Sequence, residues 1–401
     1  MKRRTRKRNM WTSLLLGVVA LVFVAFAGLL IASGIFATPR YLEPWSRDYH
    51  RQFDDPRIRL AAHGLLAANG HNMQAWKVRL APDDPNVFYL FVDSTRLTGE
   101  VDPYARQTLV SAGTFLEYVR VAGEKLGYMT AITLFPDGSY DEGRLAESMN
   151  VKPVAQVALT GAEPEDDPLY EFLFRPDTNR SPYEDKPLTD GQIDRLRRLT
   201  DDSELSLNVF QDQEHKKRLG TYAVEGAVTE AAVHRISLES AALFRANEYE
   251  KNKYRYGFSL EGQGLGGLMK HAMQGLMTAI PSINSEKATA DLFVKSTRDA
   301  VEHTPAYAMI FTKGNTRAHQ VKAGMLYSRL VLTAHRMGLA VQPPSQVLEE
   351  YAEMKPLYDG IHREYAPESG TIQLFVRIGE PTREARRTMR RDVMDIVENR
   401  P

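Results

Sequence analysis

The longest apolar stretch of the chain lies close to its N-terminus. From Trp11 to Ala37 there is no charged residue. A helix needs about 20 apolar residues to cross the hydrocarbon core of a bilayer, whereas cleaved signal peptides have apolar regions of about 7–15 residues. The pattern therefore predicts a transmembrane helix over residues 11–37 that is kept as an anchor. Ile35-Phe36-Ala37 also allows the alternative of a cleaved signal peptide.

The polar and apolar positions that follow predict a body of mixed helices and strands. After a linker at 38–55, the first half (56–165) has a helix pattern at 57–68, strand patterns at 75–81 and 87–92, and further strands at 128–135 and 154–159. Asp102-Pro103 is a good N-cap and first-turn pair for a long helix that ends near Gly127. Its predicted buried face holds Leu109, Ala112, Leu116, Val119 and Leu126.

The second half (166–401) carries similar patterns. Thr189 and Gln192 have capping-box spacing before a helix. Strands are expected at 206–210, 306–311 and 371–378, with helices within 212–246 and at 265–277, 284–300 and 317–337. We also expect a Gly- and Tyr-rich loop at 251–267 and a C-terminal helix from about Arg383. Because strands and helices are mixed without strict βαβ alternation, the pattern favours an α+β fold, and the likeness of the two halves suggests a duplicated unit.

Composition changes this picture in two ways. The chain has no cysteine, which excludes disulfides, thiolate metal sites and cysteine nucleophiles. Its 51 Lys+Arg balance 51 Asp+Glu, but six of the positive charges fall within residues 1–10, where there is no acid. Since positive flanks stay in the cytoplasm, we expect a basic cytoplasmic tail, a single-pass membrane topology and an extracytoplasmic body, periplasmic in a Gram-negative source. Nothing in this balance indicates nucleic acid as a partner.

The first candidate site is the polar turn at 69–76, between a helix and a strand. Asn69, Gly70, His71, Asn72 and Gln74 offer donors and acceptors that could converge on a planar heteroaromatic ligand. The alternative is a structural helix end, with Asn69 or Gly70 left-handed and Trp76 in the core.

The second candidate site is the segment 175–183. Arg175, Thr178, Asn179 and Arg180 suit a phosphate or the polar edge of a flavin. The alternative is a solvated linker. Further arginines at 383, 386, 387, 390 and 391 would share one face of the C-terminal helix, where one or two of them could meet a phosphate while the others are solvated.

A glycine-rich segment at 262–267 satisfies the pattern G-x-G-x-x-G. A dinucleotide site needs a buried strand before this pattern, and residues 251–256 do not form one. We therefore interpret the segment as part of a mobile loop, which could serve as a lid over a site. The ten histidines show no H-E-x-x-H motif and no tight cluster, so a metal hydrolase is not indicated.

Five motifs in this order resemble the nitroreductase superfamily, and most closely its single-chain, Acg-type branch. They are AANGHNMQAW (67–76), DPYARQTL (102–109), RPDTNRSPY (175–183), MGLAVQP (337–343), and RIG (377–379) with the pair Arg386-Arg387. The resemblance spans about residues 57–395. The sequence departs from the family at Asn69, where a serine is usual, at Ala75, where proline is usual, and at Asp177, where a second basic residue is common.

The resemblance implies an α+β fold with two similar lobes that mimic the family dimer, and FMN at their interface. It assigns flavin contacts to Asn69, Gly70, His71, Asn72 and Gln74 from one lobe, to Arg175, Thr178, Asn179 and Arg180 from the other, and the phosphate to Arg386 or Arg387.

The implied activity is a membrane-anchored, FMN-dependent oxidoreductase that reduces a nitroaromatic, quinone or similar small acceptor. If the body is extracytoplasmic, a quinol or a redox protein would replace NAD(P)H as donor. Two alternatives stay open: a flavin-binding or storage protein without turnover, and a flavin-free interaction module on the same fold. A lid formed by Gly262–Gly267 over the flavin would fit the storage protein. The departures at Asn69 and Asp177 motivate the flavin-free module, because a carboxylate beside a flavin phosphate would weaken binding.

Overall fold

A long N-terminal helix and a body built on two β-sheets make up the structure. The computed structural model describes residues 2–367 and 370–398. The helices are α1 (Lys2–Ala32), α2 (Pro56–Gly64), α3 (Arg106–Leu126), α4 (Leu145–Val151), α5 (Asp190–Arg197), α6 (Gln213–Ala232), α7 (His234–Ala242), α8 (Glu248–Tyr254), α9 (Gly267–Ala279), α10 (Glu286–Glu302), α11 (Arg317–Arg336) and α12 (Lys355–Tyr365). The strands are β1 (Trp76–Leu80), β2 (Val87–Val92), β3 (Tyr128–Leu134), β4 (Ala155–Gly161), β5 (Leu205–Phe210), β6 (Ala306–Thr312), β7 (Ala340–Gln342), β8 (Thr371–Gly379) and β9 (Val397–Glu398).

The first sheet has the strand order β3-β4-β2-β1-β9. Its strands from the first half are antiparallel, and β9 pairs in parallel with β1 through Val78 and Val397. The end of the chain therefore completes a sheet that the first half begins.

The second sheet has the order β5-β6-β8-β7 and is antiparallel throughout. Its central strands β6 and β8 are buried along their whole length. The nearly continuous apolar sequence of β6 predicts this, whereas β8 also buries the polar side chains of Gln373 and Arg377. The α+β class predicted from the sequence is confirmed.

Helices α3 and α11 pack against each other and join the two cores. They approach so closely that a Cβ on Gly113 would overlap the carbonyl of Val321, and one on Gly324 would overlap the carbonyl of Val110. Val321 belongs to the core of the first sheet and Val110 to that of the second. The helix pair thus fixes how the two sheets are held, and with them the candidate segments at 69–76 and 175–183, which lead into β1 and precede β5.

Three predicted boundaries are wrong. The helix expected at 57–68 ends at Gly64. The helix opened by Asp102-Pro103 starts only at Arg106, because Ala105 is left-handed (φ 53°). Asp102 still caps it, accepting from the backbone amides of Gln107 (3.1 Å) and Thr108 (3.0 Å). The loop expected at 251–267 also begins late, because α8 extends to Tyr254.

The predicted C-terminal helix from Arg383 is wrong: residues 383–392 have no regular secondary structure. The arginine spacing had no apolar face beside it, and helical stability in proteins comes mainly from packing such a face. The pattern also missed α12. The arginines therefore do not share a helical face, and each has its own environment.

The N-terminal helix α1 contains the apolar stretch Trp11–Ala32, and none of that stretch is buried in the body. Its 22 residues span about 33 Å, enough to cross a hydrocarbon core. The residues that follow pack onto the body, where Tyr41, Trp45 and Tyr49 are buried.

Candidate functional site

The turn at 69–74 has an unusual backbone. His71, Asn72 and Gln74 are all left-handed, with φ of 52°, 51° and 50°. Non-glycine residues in this region each cost about 1–3 kcal/mol, and such strain persists only where the surroundings hold it. Trp76 lies in the core and donates its indole N–H to the Ser111 carbonyl (2.9 Å), as the structural alternative predicted, whereas Asn69 is extended.

The amides of Asn72 and Gln74 are what hold this turn. Asn72 Nδ2 donates to the carbonyls of Gly257 and Met389, both at 3.1 Å. Gln74 is fully buried, and its Nε2 donates to the Arg255 carbonyl (2.9 Å). Asn72 and Gln74 were predicted to contact a flavin. In this conformation their amide N–H groups donate to main-chain carbonyls, so the two side chains hold the turn in place.

Two buried arginines complete the support, and sequence reasoning did not separate them from their neighbours. Arg390 donates to the carbonyl of Leu66 (2.7 Å) and to Asn72 Oδ1 (3.1 Å), and its guanidinium lies 4.6 Å from the centre of the Trp45 ring. Arg391 donates its backbone amide to Gln74 Oε1 (2.8 Å). Both arginines therefore stabilise the turn at 69–74. Because they are buried, the expectation that they lie on a solvated helical face is wrong.

The departure of Asp177 from the family pattern suggested a free carboxylate beside a phosphate site. The structure shows instead that its carboxylate is engaged inside the protein. The carboxylate is buried, accepts the backbone N–H of Ala68 (2.6 Å) and is hydrogen-bonded to the hydroxyl of Tyr118. Burial raises the pKa of Asp177 to about 6, against the opposing effects of Tyr118 and Arg390. Asp177 thus ties the second candidate segment to the residue just before the first.

Asn179 is likewise part of the framework. It is buried, its backbone N–H donates to the Val341 carbonyl (2.9 Å) and its Nδ2 donates to the Arg383 carbonyl (2.7 Å). Its Oδ1 accepts from Ser181. Asp177 and Asn179 are buried, so the segment is not the solvated linker of the alternative interpretation. Thr178 between them is partly exposed.

A third segment, residues 255–262, contacts both candidate segments, and we call it the covering segment. His71 packs edge-on against the ring of Phe258, with centroids 5.3 Å apart. Arg180 donates to the Gly262 carbonyl (3.1 Å). Burial, with a smaller effect of the Arg180 charge, lowers the pKa of His71 to about 4, so the ring is neutral at pH 7. Gly70 donates its backbone N–H to Ser111 Oγ (3.0 Å) beneath this contact.

Arg386 and Arg387 lie on a cleft of about 580 Å³ next to the covering segment. The Arg386 guanidinium is so close to Gly266 that a Cβ there would overlap it. The cleft is also lined by Ile35, Ala37, Pro39, Tyr41, Leu42, Glu248, Glu261, Gly267, Lys270, His271, Glu384 and Ala385. The acidic members of this lining include Glu248 and Glu261, which are paired with Lys270.

The predicted phosphate arginines are available to an anion. Within residues 2–367 and 370–398, Arg175, Arg180, Arg386 and Arg387 make no salt bridge to a carboxylate, and all are exposed. Arg175 stands apart from the others, over the ring of Phe172 at 5.1 Å. The structure therefore brings Arg180 and Arg386 to the glycine-rich segment at 262–267. Arg387 lines the same cleft as Arg386, but its guanidinium donates to the Phe174 carbonyl (3.4 Å), and Arg175 is not part of the cleft lining.

Two kinds of known protein are similar in sequence to this chain, and one of them is named as a nitroreductase. The chain is 25% identical over 320 residues to a Mycobacterium tuberculosis protein named as an NAD(P)H nitroreductase, covering 79% of this chain and 82% of that protein. It is 29% identical over 153 residues to an uncharacterised protein of the same species, covering 35% of this chain and 44% of that one. No family model matches the chain. The named relative supports the predicted nitroreductase superfamily.

Solved structures give only distant matches. A nitroreductase-like family protein from Bacillus cereus has 11% identity and a TM-score of 0.32, covering 59% of this chain and 98% of that one. An FMN-dependent nitroreductase from Mycobacterium smegmatis, solved with NADPH, has 13% identity and a TM-score of 0.30, covering 51% and 83%. At TM-scores this low, the likeness adds nothing to the sequence similarity.

Proposed function

We propose that the chain is a membrane-anchored, FMN-dependent oxidoreductase of nitroreductase type. Its similarity to proteins named as nitroreductases is consistent with an oxidoreductase. The observation that carries the proposal is the group Arg180, Arg386 and Arg387. All three are exposed and have no carboxylate partner within the described part of the chain. Arg180 and Arg386 lie against one glycine-rich segment and Arg387 lines the cleft beside it, although more than 200 residues separate the first from the other two. A guanidinium group binds phosphate through paired N–H donors, so this group suits the phosphate of FMN.

A bound flavin supplies electron transfer between a reduced donor and an acceptor. The chain's own residues hold the site: Asn72 and Gln74 fix the strained turn, and neutral His71 keeps one N–H donor and one acceptor nitrogen at pH 7. The covering segment lies on this turn and bonds to Arg180. We propose that it is a lid in its closed position, which must shift for a flavin to contact Gly70 and His71 and which then covers the flavin.

The membrane part of the proposal rests on α1. By length and composition the helix can cross a bilayer, and a retained helix would tether the body at the membrane surface. With the basic tail in the cytoplasm, the body would face the other side. There a quinol or redox protein would replace NAD(P)H as the donor, and the acceptor would be a nitroaromatic, a quinone or a similar small molecule.

The test is a flavin titration of the full-length protein in detergent. We expect FMN to bind with the visible spectrum of oxidised flavin and to be bleached without oxygen by NADPH, by a reduced quinone or by a reduced redox protein. A spectrum that no such donor bleaches would contradict the oxidoreductase and favour the storage protein.

Arg180→Ala separates the proposed phosphate contact from general basicity. Losing a charge-assisted hydrogen bond of about 1.5–3 kcal/mol should weaken FMN binding by one to two orders of magnitude. Arg363→Ala is the control, because Arg363 is also exposed and lies on α12, outside the cleft lining. Equal FMN affinities for the two variants would remove Arg180 from the site.

A specific observation favours a second candidate, the flavin-free interaction module. The donors of Asn72 and Gln74 are bonded to Gly257, Met389 and Arg255, so the turn is complete without a ligand. If the purified protein takes up no FMN even after reconstitution, this second function is the better one.

A further inference from the structure

Helix α9 is amphipathic with its polarity reversed. Its polar side chains are Lys270, His271, Gln274 and Thr278, and none of them is exposed. Lys270 Nζ lies 2.7 Å from a carboxylate oxygen of Glu248. His271 Nδ1 is hydrogen-bonded to Ser33 Oγ at 3.1 Å. The polar side of the helix is therefore directed into the protein.

The apolar side of α9 faces outward. Leu268 and Met269 are 55% and 66% exposed, and Ile280 and Ile283, just after the helix, are 46% and 39% exposed. Between them the partly exposed apolar residues are Ala272, Met273, Leu276 and Met277. A helix on the surface of a soluble protein has the opposite arrangement, and contiguous exposed apolar patches mark interaction sites.

The position of α9 indicates what covers this patch. Gly275 is buried against α1, so closely that a Cβ there would overlap the carbonyl of Leu29. Leu29 lies inside the apolar stretch Trp11–Ala32, about 5 Å from its end at 1.5 Å per residue. The patch on α9 is thus continuous with the last turns of a helix whose side chains are themselves exposed and apolar.

Aromatic side chains lie beside the C-terminal end of α1. Phe36 is largely exposed just past the end of α1. Tyr249 is also exposed, and its ring lies against Gly34, 3.1 Å from where a Cβ would stand. Aromatic residues are enriched where a membrane protein meets the headgroup region of a bilayer.

We infer that α9 is a second membrane-contacting element, which lies in the headgroup boundary of the same bilayer with its apolar side toward the lipid. Helices of this kind bind with the apolar face buried about 5–10 Å at the boundary of headgroups and acyl chains. The inference rests on the membrane anchoring in the proposed function. It does not depend on flavin binding.

The inference also assigns a class of reactant to the cleft. The cleft shares Lys270 and His271 with α9, and it shares Ile35 and Ala37 with the chain just after α1. With α9 in the boundary, the cleft opens at the lipid surface. A reactant that partitions into the bilayer, such as a lipid-soluble quinone, reaches it more readily than a charged, water-soluble one.

The absence of cysteine allows a direct test, because single cysteines can be introduced and spin-labelled in the full-length chain. The reporter is Met269→Cys in α9. Val151→Cys, on α4 and 68% exposed, is the matched control outside the patch, and Leu21→Cys in α1, 72% exposed, reports on the anchor itself. The measurement is collision of the label with oxygen and with a water-soluble nickel chelate in phosphatidylcholine–phosphatidylglycerol nanodiscs.

We expect labels at 269 and 21 to favour oxygen over the nickel chelate, and the label at 151 to favour the chelate. If 269 behaves as 151 does while 21 lies in lipid, the inference is wrong and the anchor stands. If 21 is also in water, the anchor and the inference fail together. If 269 is protected from both reagents and shows spin–spin broadening, a second copy of the chain covers α9 in place of lipid, and the inference is overturned.

Discussion

Single buried ionisable residues give this protein two opposite dependences of stability on pH. Asp177 has its pKa raised to about 6 by burial, whereas burial lowers the pKa of His63 to about 3. For Asp177 the folded state binds the proton more tightly, so its contribution to stability is lost as the pH rises through 4 to 6. For His63 the unfolded state binds the proton more tightly, so its contribution is lost as the pH falls below about 6.5.

Asp177→Asn tests the first of these effects. Asparagine keeps an acceptor for the Ala68 amide and can donate to the Tyr118 hydroxyl, but it cannot ionise. We expect the free energy of unfolding of the variant, relative to wild type, to rise by up to about 3 kcal/mol between pH 4 and pH 7, since each unit of pKa shift is about 1.4 kcal/mol. Denaturant titrations across that range measure it, and a difference independent of pH would contradict the assignment.

His63→Gln tests the second effect. His63 Nδ1 is hydrogen-bonded to the Arg59 carbonyl (2.8 Å) and its Nε2 to the Tyr170 hydroxyl (3.1 Å), contacts that an amide can replace. The wild type should lose about 3 kcal/mol relative to the variant when the pH falls from 7 to 4. The same measurement on His234→Gln, an exposed imidazole, controls for loss of the ring itself. Parallel pH profiles for wild type and His63→Gln would show that folded His63 takes up its proton as readily as the unfolded chain does, so that burial does not lower its pKa.

Among the elements, the crossing of α3 and α11 is the most demanding contact. Gly113→Ala would place a Cβ against main-chain atoms of α11 that cannot rotate away. In an open helix the same change would stabilise by about 1 kcal/mol, but overpacking typically costs about 1–3 kcal/mol, so we expect a net loss. Gly191→Ala in α5, where a Cβ meets nothing within 4 Å, is the control. In thermal unfolding we expect the Tm of Gly113→Ala to lie below that of wild type and the Tm of Gly191→Ala to lie at or above it.

The elements also show how far the sequence could predict the fold. Strands β1 and β2 and the end of α3 at Gly127 follow from alternation, turn residues and a left-handed glycine, which are local signals. The start of α3 was misplaced because the left-handed backbone of Ala105 carries no such signal. The C-terminal helix was wrong because the structure of 383–392 is set by contacts with the turn at 69–74, more than 300 residues earlier.

The candidate site was predictable only in part for the same reason. Residue type and motif singled out Arg180, Arg386 and Arg387, and the structure places Arg180 and Arg386 against the glycine-rich segment and Arg387 in the cleft beside it. Nothing in the sequence separates Arg387 from Arg390, although one is exposed and the other buried on Trp45. Residue type predicts which chemistry is available, whereas burial decides which residues are free to use it.

For the whole molecule, contacts between distant parts of the chain predict that the body unfolds as one unit. β9 completes the first sheet, and the α3–α11 pair belongs to both cores. Arg106 adds a third connection. It is 2% exposed on α3 and donates to the carbonyls of Gln373 (2.8 Å) and Leu348 (2.7 Å), with Glu350 3.2 Å away.

Arg106→Ala should therefore lower the stability of the entire body. The variant leaves a carboxylate and two carbonyls without their partner, which for a buried ion pair costs about 3–5 kcal/mol. Tryptophan fluorescence reports mainly on Trp45 and Trp76, close to the first sheet, and far-ultraviolet circular dichroism reports on all helices and strands. We expect both signals to shift together to lower denaturant concentration. Arg106→Lys should fall between, because an ammonium group cannot serve the two carbonyls and the carboxylate in the same fork.

The control for this experiment is Arg144→Ala, whose exposed pair with Asp141 should contribute less than about 1 kcal/mol. Two separate transitions in Arg106→Ala, with the fluorescence change no longer coincident with the circular dichroism, would show that the sheets are stable apart and that Arg106 alone couples them. A coincident shift instead means that β9 and the helix pair are sufficient to keep the two sheets in one cooperative unit. In that case the fold itself holds the arginines of the proposed phosphate site at fixed positions relative to one another, although Arg180 precedes β5 and the other two follow β8.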